Sequence, residues 1–130
     1  MSSGKQVITA ATAPKAIGPY SVAVRFNDLV FTAGQLGMDA NTGKLVSGGI
    51  EAETRQALQN LKSVLEAAGS SLELVLKTTV FLRDMEDFTR MNNVYAEFFT
   101  ADPPARSAVQ VAALPKGATV EIEAIAAVRK

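Results

Sequence analysis

The chain contains no cysteine and no histidine among its 130 residues. Without cysteine there is no disulfide, no thiolate nucleophile and no cysteine-ligated metal. Without histidine the commonest metal ligand is missing, together with the usual general base near neutral pH. No Ser-His-Asp set can be assembled, and a zinc site would have to be built from carboxylates alone. Proton transfer is left to Glu, Asp, Tyr, Lys or an ordered water. Excess charge is also missing, because 13 basic residues balance 13 acidic ones. With no run of Lys or Arg to form a basic stripe, the composition argues against a nucleic-acid partner. The start, Met1-Ser2-Ser3-Gly4-Lys5, has neither an apolar signal core nor an arginine-rich transit pattern, and no stretch could span a bilayer. An intracellular protein with no membrane partner is expected. Gly48-Gly49 lacks the spacing and the lysine of a phosphate-cradling loop.

What is present describes one folded domain over residues 1–130, with 48% apolar and 20% charged residues. Val7-Ile8-Thr9 reads as a first strand, followed by a Pro/Gly loop through Pro14, Gly18 and Pro19. Tyr20 to Phe26 and Leu29 to Thr32 read as a hairpin turning at Asn27-Asp28. Asp39 to Gly43 is a surface turn. A helix is predicted from about Ile50 to Ala68, because Ile50, Thr54, Ala57, Leu58, Leu61, Val64, Leu65 and Ala68 share one face. Glu51, Glu53, Arg55, Gln59, Lys62 and Glu66 point elsewhere, and Gly69 stands where a C-terminal cap belongs. Leu74 to Leu82 is apolar and β-branched, a buried strand. A second helix from about Met85 to Phe99 carries Phe88, Met91, Tyr95, Phe98 and Phe99 on its inner face, and Asp102-Pro103-Pro104 stops it. Two strands follow, Ser107 to Ala113 and Ala118 to Val128, joined by Leu114-Pro115-Lys116-Gly117.

The order β-β-β-α-β-α-β-β implies an α+β fold, a mixed sheet with two helices on one face. In the last strand Val120, Ile122, Ala124, Ala126 and Val128 face the helices, while Glu121, Glu123, Ile125 and Ala127 face away. In the strand before it, Val109, Val111 and Ala113 oppose Arg106, Ala108, Gln110 and Ala112. The far face is then half apolar, poor in charge and rich in small residues. A solitary domain would make that surface hydrophilic, so the pattern predicts that further copies of the chain cover it in a closed ring.

Pro103-Pro104-Ala105-Arg106-Ser107 and Val120-Glu121-Ile122-Glu123 set one guanidinium and two carboxylates on neighbouring extended segments. Arg106 has two readings. It pairs with Glu121 or Asp102 to settle a subunit contact, or its planar fork grips a small carboxylic acid. Glu123 reads as a solubilising surface acid. Glu121, if its face is covered, is partly desolvated, holds its proton more tightly and can orient or activate a water. Tyr20 packs at a rim or lines a pocket, Gly34 marks a bend or lets backbone approach a ligand, and Asn92 needs a partner that is either backbone or ligand.

Taken together, Ile17-Gly18-Pro19-Tyr20, Thr32-Ala33-Gly34-Gln35, Lys77-Thr78-Thr79-Val80-Phe81-Leu82, Pro104-Ala105-Arg106-Ser107 and Glu121-Ile122-Glu123-Ala124-Ile125-Ala126 resemble the RidA (YjgF) family of reactive-imine deaminases. The resemblance runs nearly the length of the chain and looks most like the eukaryotic branch. It implies a chorismate-mutase-like fold assembled as a homotrimer, with pockets between subunits. It also implies hydrolysis of 2-imino acids such as 2-iminobutanoate and 2-iminopropanoate to 2-oxo acids and ammonia, with no cofactor and no metal. By match to the family's motif, Arg106 binds the substrate carboxylate and Glu121 handles the water. Tyr20 and Asn92 line the pocket, and Ala33, Gly34 and Ala108 contact the substrate, Gly34 through its backbone. Many relatives carry Ser where Ala33 stands and Cys where Ala108 stands, so neither a hydroxyl nor a thiol is needed at those positions. Cytosol and mitochondrion both remain open. A ribonuclease or translation-inhibitor role, also attached to the family, and a non-catalytic chaperone-like role are the competing readings.

Overall fold

A computed structural model of the chain describes residues 4–130. The leader reading therefore rests in part on residues outside those described. Seven strands and two helices follow in the order β1 (Lys5–Ile8), β2 (Ala23–Phe26), β3 (Leu29–Thr32), β4 (Gln35–Leu36), α1 (Gly49–Ala67), β5 (Val75–Leu82), α2 (Phe88–Phe98), β6 (Ala105–Gln110) and β7 (Val120–Ala127). The sequence anticipates this order except for β4, whose two residues are too few for a periodic signal. The sheet runs β1-β2-β3-β7-β5-β6, and β4 pairs with β7 beside β3. Only β5 and β6 pair in parallel, and α2 crosses between them as parallel connection requires.

Both helices pack on one face. Leu58, Leu61, Val64 and Leu65 of α1 and Met91 of α2 meet Val30, Val80, Leu82, Val120 and Ile122 of the sheet, all fully buried. Helix α1 ends in a two-bond cap. Gly69, at φ 82°, donates to the Glu66 carbonyl at 3.1 Å, and Ser70 donates to the Leu65 carbonyl at 2.8 Å. Helix α2 begins three residues later than the sequence suggests, because Met85–Asp87 form a 3₁₀ turn in which Asp84 accepts from the Glu86 N–H. The helix stops at Phe98, ahead of Asp102 and the two prolines.

Two polar side chains of α1, Glu53, which the sequence places on the outer side, and Asn60, do structural work. Glu53 is buried and accepts from the Thr119 N–H at 2.9 Å. Asn60 donates to the carbonyls of Leu36 and Met38 at 3.0 and 2.9 Å, tying β4 and the chain after it to the helix.

Strand β6 corrects the sequence reading. The alternation opposes Val109 to Arg106, Ala108 and Gln110 and makes the valine row the apolar side. The parallel register instead sets Arg106 beside Thr78 and Ala108 beside Val80, both of them buried under the helices. Ala108 packs against the core while Val109 is 44% exposed on the far face. Strand β6 is the edge of the sheet, where the larger side chain is not required inward. Arg106 and Glu121 are accordingly not on neighbouring strands. β5 lies between them, and they project from opposite faces of the sheet.

The far face is apolar, though on β6 it is Val109 that lies there rather than Arg106 and Ala108. Phe26, Leu29, Phe31 and Val109 stand exposed there beside Ile125, Glu121 and Glu123.

Candidate active site

Two hollows hold the residues singled out by the sequence, one built around Glu121 and one around Arg106. The first arises from a break between β3 and β4. At the break the Thr32 hydroxyl accepts from the Ala124 N–H at 3.0 Å, where a ladder bond would otherwise lie. The Ala33 N–H turns away to the Val22 carbonyl. Gly34 then lies against the Glu121 side chain so closely that a β-carbon there would sit 2.6–2.7 Å from its Cδ and Cγ and overlap the carboxylate oxygen. No residue other than glycine leaves room for the acid in this position.

Tyr20 closes the same hollow. Its hydroxyl accepts from the Ile17 N–H at 3.3 Å, and its own N–H donates to the Gly18 carbonyl at 2.8 Å, so the Ile-Gly-Pro-Tyr loop is folded on itself. The space is about 360 Å³ and is lined by Tyr20, Ala33, Gly34, Pro115, Glu121 and Lys15 among others. Burial pushes the Glu121 carboxyl above the ordinary glutamate range, and the negative charge of Glu123 adds to the shift.

The second hollow, about 390 Å³, lies between α2 and the Pro103-Pro104 approach to β6. Phe88, Asn92 and Tyr95 recur at four- and three-residue spacing and so share one face of α2. The Arg106 guanidinium lies 4.7 Å from the Tyr95 ring centre and 5.4 Å from that of Phe88. Its Nη1 donates to the Asn92 Oδ1 at 2.7 Å. The asparagine's partner, left open by the sequence, is thus the arginine. Among the described residues no carboxylate stands within 4.0 Å of the guanidinium, so the first of its two readings, a pairing with Glu121 or Asp102, is not made within the chain.

Of the residues singled out in the sequence, Tyr20, Ala33, Gly34 and Glu121 come together in one hollow. Asn92 and Arg106 come together in the other. Ala108 lines neither and packs on the core. Sequence reasoning takes Phe88, Tyr95 and Thr78 as ordinary core. The signal available was the spacing of Phe88, Asn92 and Tyr95, which places a polar amide between two aromatic rings. No group of His, Cys, Asp or Glu suited to a metal ion occurs among the described residues, and no helix there is long and apolar enough to cross a membrane.

Known proteins are similar to this chain in sequence and fold. Residues 10–128 match the family model described as Endoribonuclease L-PSP. A RutC family protein of Pyrococcus horikoshii is 54% identical over 94% of this chain and 97% of its own. The human 2-iminobutanoate/2-iminopropanoate deaminase is 51% identical over 94% of this chain and 89% of its own. The crystal structure of E. coli TdcF with bound serine superposes with a TM-score of 0.90 at 43% identity, covering 96% of this chain and 99% of that one. With the match spanning all seven strands but β1, the chain belongs to the Endoribonuclease L-PSP family, the group that includes the RidA (YjgF) proteins.

Proposed function

We propose that this protein hydrolyses 2-imino acids of the 2-iminobutanoate and 2-iminopropanoate type to 2-oxo acids and ammonia. The observation that carries the reading is the state of Arg106. Its cation is held by neutral partners, and its Nε and Nη2 donate to no protein group among the described residues. That edge of the guanidinium matches a carboxylate in two parallel hydrogen bonds. The relatives lend further support. The human, mouse and bovine proteins at 51–52% identity bear the deaminase name. TdcF holds serine, which shares with an imino acid a carboxylate beside a nitrogen-bearing carbon.

A protonated imine is already electrophilic at C2, so neither a covalent nucleophile nor a metal is needed. Water adds its oxygen to C2 and gives one proton to Glu121, while the C=N π pair moves onto nitrogen. The resulting hemiaminal takes that proton back from Glu121 on nitrogen. C–N cleavage then releases ammonia as the hydroxyl oxygen becomes the ketone and sheds its proton to solvent. A carboxyl raised above its ordinary range is suited to both steps, since it exchanges protons nearer to neutral pH. Holding the acid end and one water in place is a positioning task that supplies several kcal/mol.

Arg106 and Glu121 lie on opposite faces of one sheet, so a complete site takes each from a different copy. We therefore read the assembly as a homotrimer with its pockets between subunits, the apolar far face turned inward. The family-model description favours an RNA-cleaving alternative by name only, since zero net charge and no histidine leave little to grip a phosphate chain.

The test is a coupled assay in which an amino-acid oxidase generates the imine and oxo-acid formation is followed. Wild type speeds the release, whereas Arg106→Ala and Arg106→Lys do not, because lysine keeps the charge and loses the fork. Equal rates with Arg106→Ala and wild type would refute the reading.

A further inference from the structure

Arg106 is held without being neutralised. A buried or half-buried arginine usually finds a carboxylate, yet here every group that fixes it is uncharged. Asn92 accepts from Nη1, and the rings of Tyr95 and Phe88 take the cation against their faces. Tyr95 is itself immobilised. Its hydroxyl is 2.8 Å from Thr78 Oγ1, which is fully buried on β5, and its ring lies 4.7 Å from that of Phe99 at 38°. Core packing accounts for the ring of Tyr95, but not for a buried hydroxyl pair standing under a cation.

We propose that Phe88, Asn92, Tyr95 and Thr78 form a neutral cradle that sets the orientation of the Arg106 guanidinium while leaving its whole charge for the substrate carboxylate. The proposal rests on the reading of Arg106 as the carboxylate anchor. These are positioning residues, since they act through the arginine.

The physical gain is twofold. An acid at position 92 would compete with the substrate for the same donors. A free arginine, in turn, gives up side-chain entropy when it becomes fixed on binding. The cradle fixes it beforehand, and each ring attracts the cation through its face. With Nη1 committed to Asn92, the edge left for a ligand is the one formed by Nε and Nη2.

The decisive variant is Asn92→Asp, which keeps the shape and adds a carboxylate. Thermal stability is expected to hold or rise while KM for the imino acid, and Kd for 2-oxobutanoate, rise more than about tenfold. Phe88→Leu and Tyr95→Leu are expected to raise both constants about five- to tenfold with kcat within about twofold. The ring-preserving Phe88→Tyr stays within about twofold of wild type. Tyr95→Phe keeps the ring but deletes the hydroxyl that Thr78 holds, so both constants are expected to rise about two- to fivefold, less than in the leucine variant. In NMR spectra the Arg106 side-chain signals should be displaced by ring currents in the wild type, and that displacement should shrink in the leucine variants.

The cradle is refuted if Asn92→Asp binds 2-oxobutanoate as wild type does. It is equally refuted if the folded leucine variants keep wild-type constants. The NMR signals and 2-oxobutanoate titrations need no turnover. A wild type that binds 2-oxobutanoate with ring-shifted Arg106 signals but hydrolyses no imine would therefore refute the deaminase reading and leave the cradle standing.

Discussion

Gly34 does its work by having no side chain. Its backbone is not in the left-handed region, and the three atoms nearest to an added β-carbon all belong to the flexible Glu121 side chain. Gly34→Ala is therefore expected to change overall stability by less than about 1 kcal/mol in urea unfolding. It should still cost about tenfold or more in kcat, because the acid is driven from its seat. Wild-type kcat in Gly34→Ala would deny Glu121 its role. Titration of Glu121 gives a second prediction. Its pKa is raised in the folded chain by burial and by Glu123, with Lys15 and Tyr20 the other titratable groups around its hollow. The base form disappears as pH falls through that raised value, so the acid limb of kcat/KM should lie above the ordinary glutamate range and vanish in Glu121→Gln. The sign for stability is the reverse of the usual carboxylate case. The folded chain holds the proton more tightly, so no penalty exists below the unfolded pKa, and one develops as pH rises through the folded pKa. Glu121→Gln should therefore stabilise the isolated fold at pH 7 and be neutral at pH values below the unfolded glutamate pKa, as compared by urea midpoints.

Two elements set the site, the capped helix α1 and the cradle-bearing helix α2. The end of α1 depends on Gly69 at φ 82°, where an added β-carbon meets only Arg25 and Val128 at 3.4 Å or more. The cost of Gly69→Ala is thus almost wholly the left-handed backbone, and a loss of about 1–2 kcal/mol is expected in urea unfolding with KM unchanged. The cap is legible in the sequence, since a glycine directly after an apolar helical stripe marks where the backbone can turn left-handed and end the helix. So are α2 and its inner face. Which inner-face residues take up the arginine is not legible, because a Phe or Tyr at helical spacing looks the same whether it packs on leucine or on a guanidinium. Strand β6 defeats the alternation for a related reason. Alternation ranks residues by size, and at a sheet edge the outward residue can be the larger one.

At the scale of the molecule, Arg106 and Glu121 project from opposite faces of a single sheet. If copies complete each other's sites, Arg106→Ala and Glu121→Ala variants are each inactive alone. Co-folded in equal amounts in a ring, they should regain about a quarter of wild-type activity, the chance that a given interface joins two intact halves. Sedimentation should place the wild type at three times the chain mass at micromolar concentration. A monomer, or no recovery on mixing, would separate the chemistry from the assembly.

The amino-acid sequence by itself determined the chemistry available, the order of the elements and the apolar character of the far face. Each of these follows from residue type and from periodicity along one element. Only the tertiary structure decided that β5 separates Arg106 from Glu121, that Asn92 answers the arginine, and that Gly34 seats the acid. Those facts depend on strand order and register, which are fixed by how separate elements pair across the sheet, and residues that meet there can be tens of positions apart in the chain.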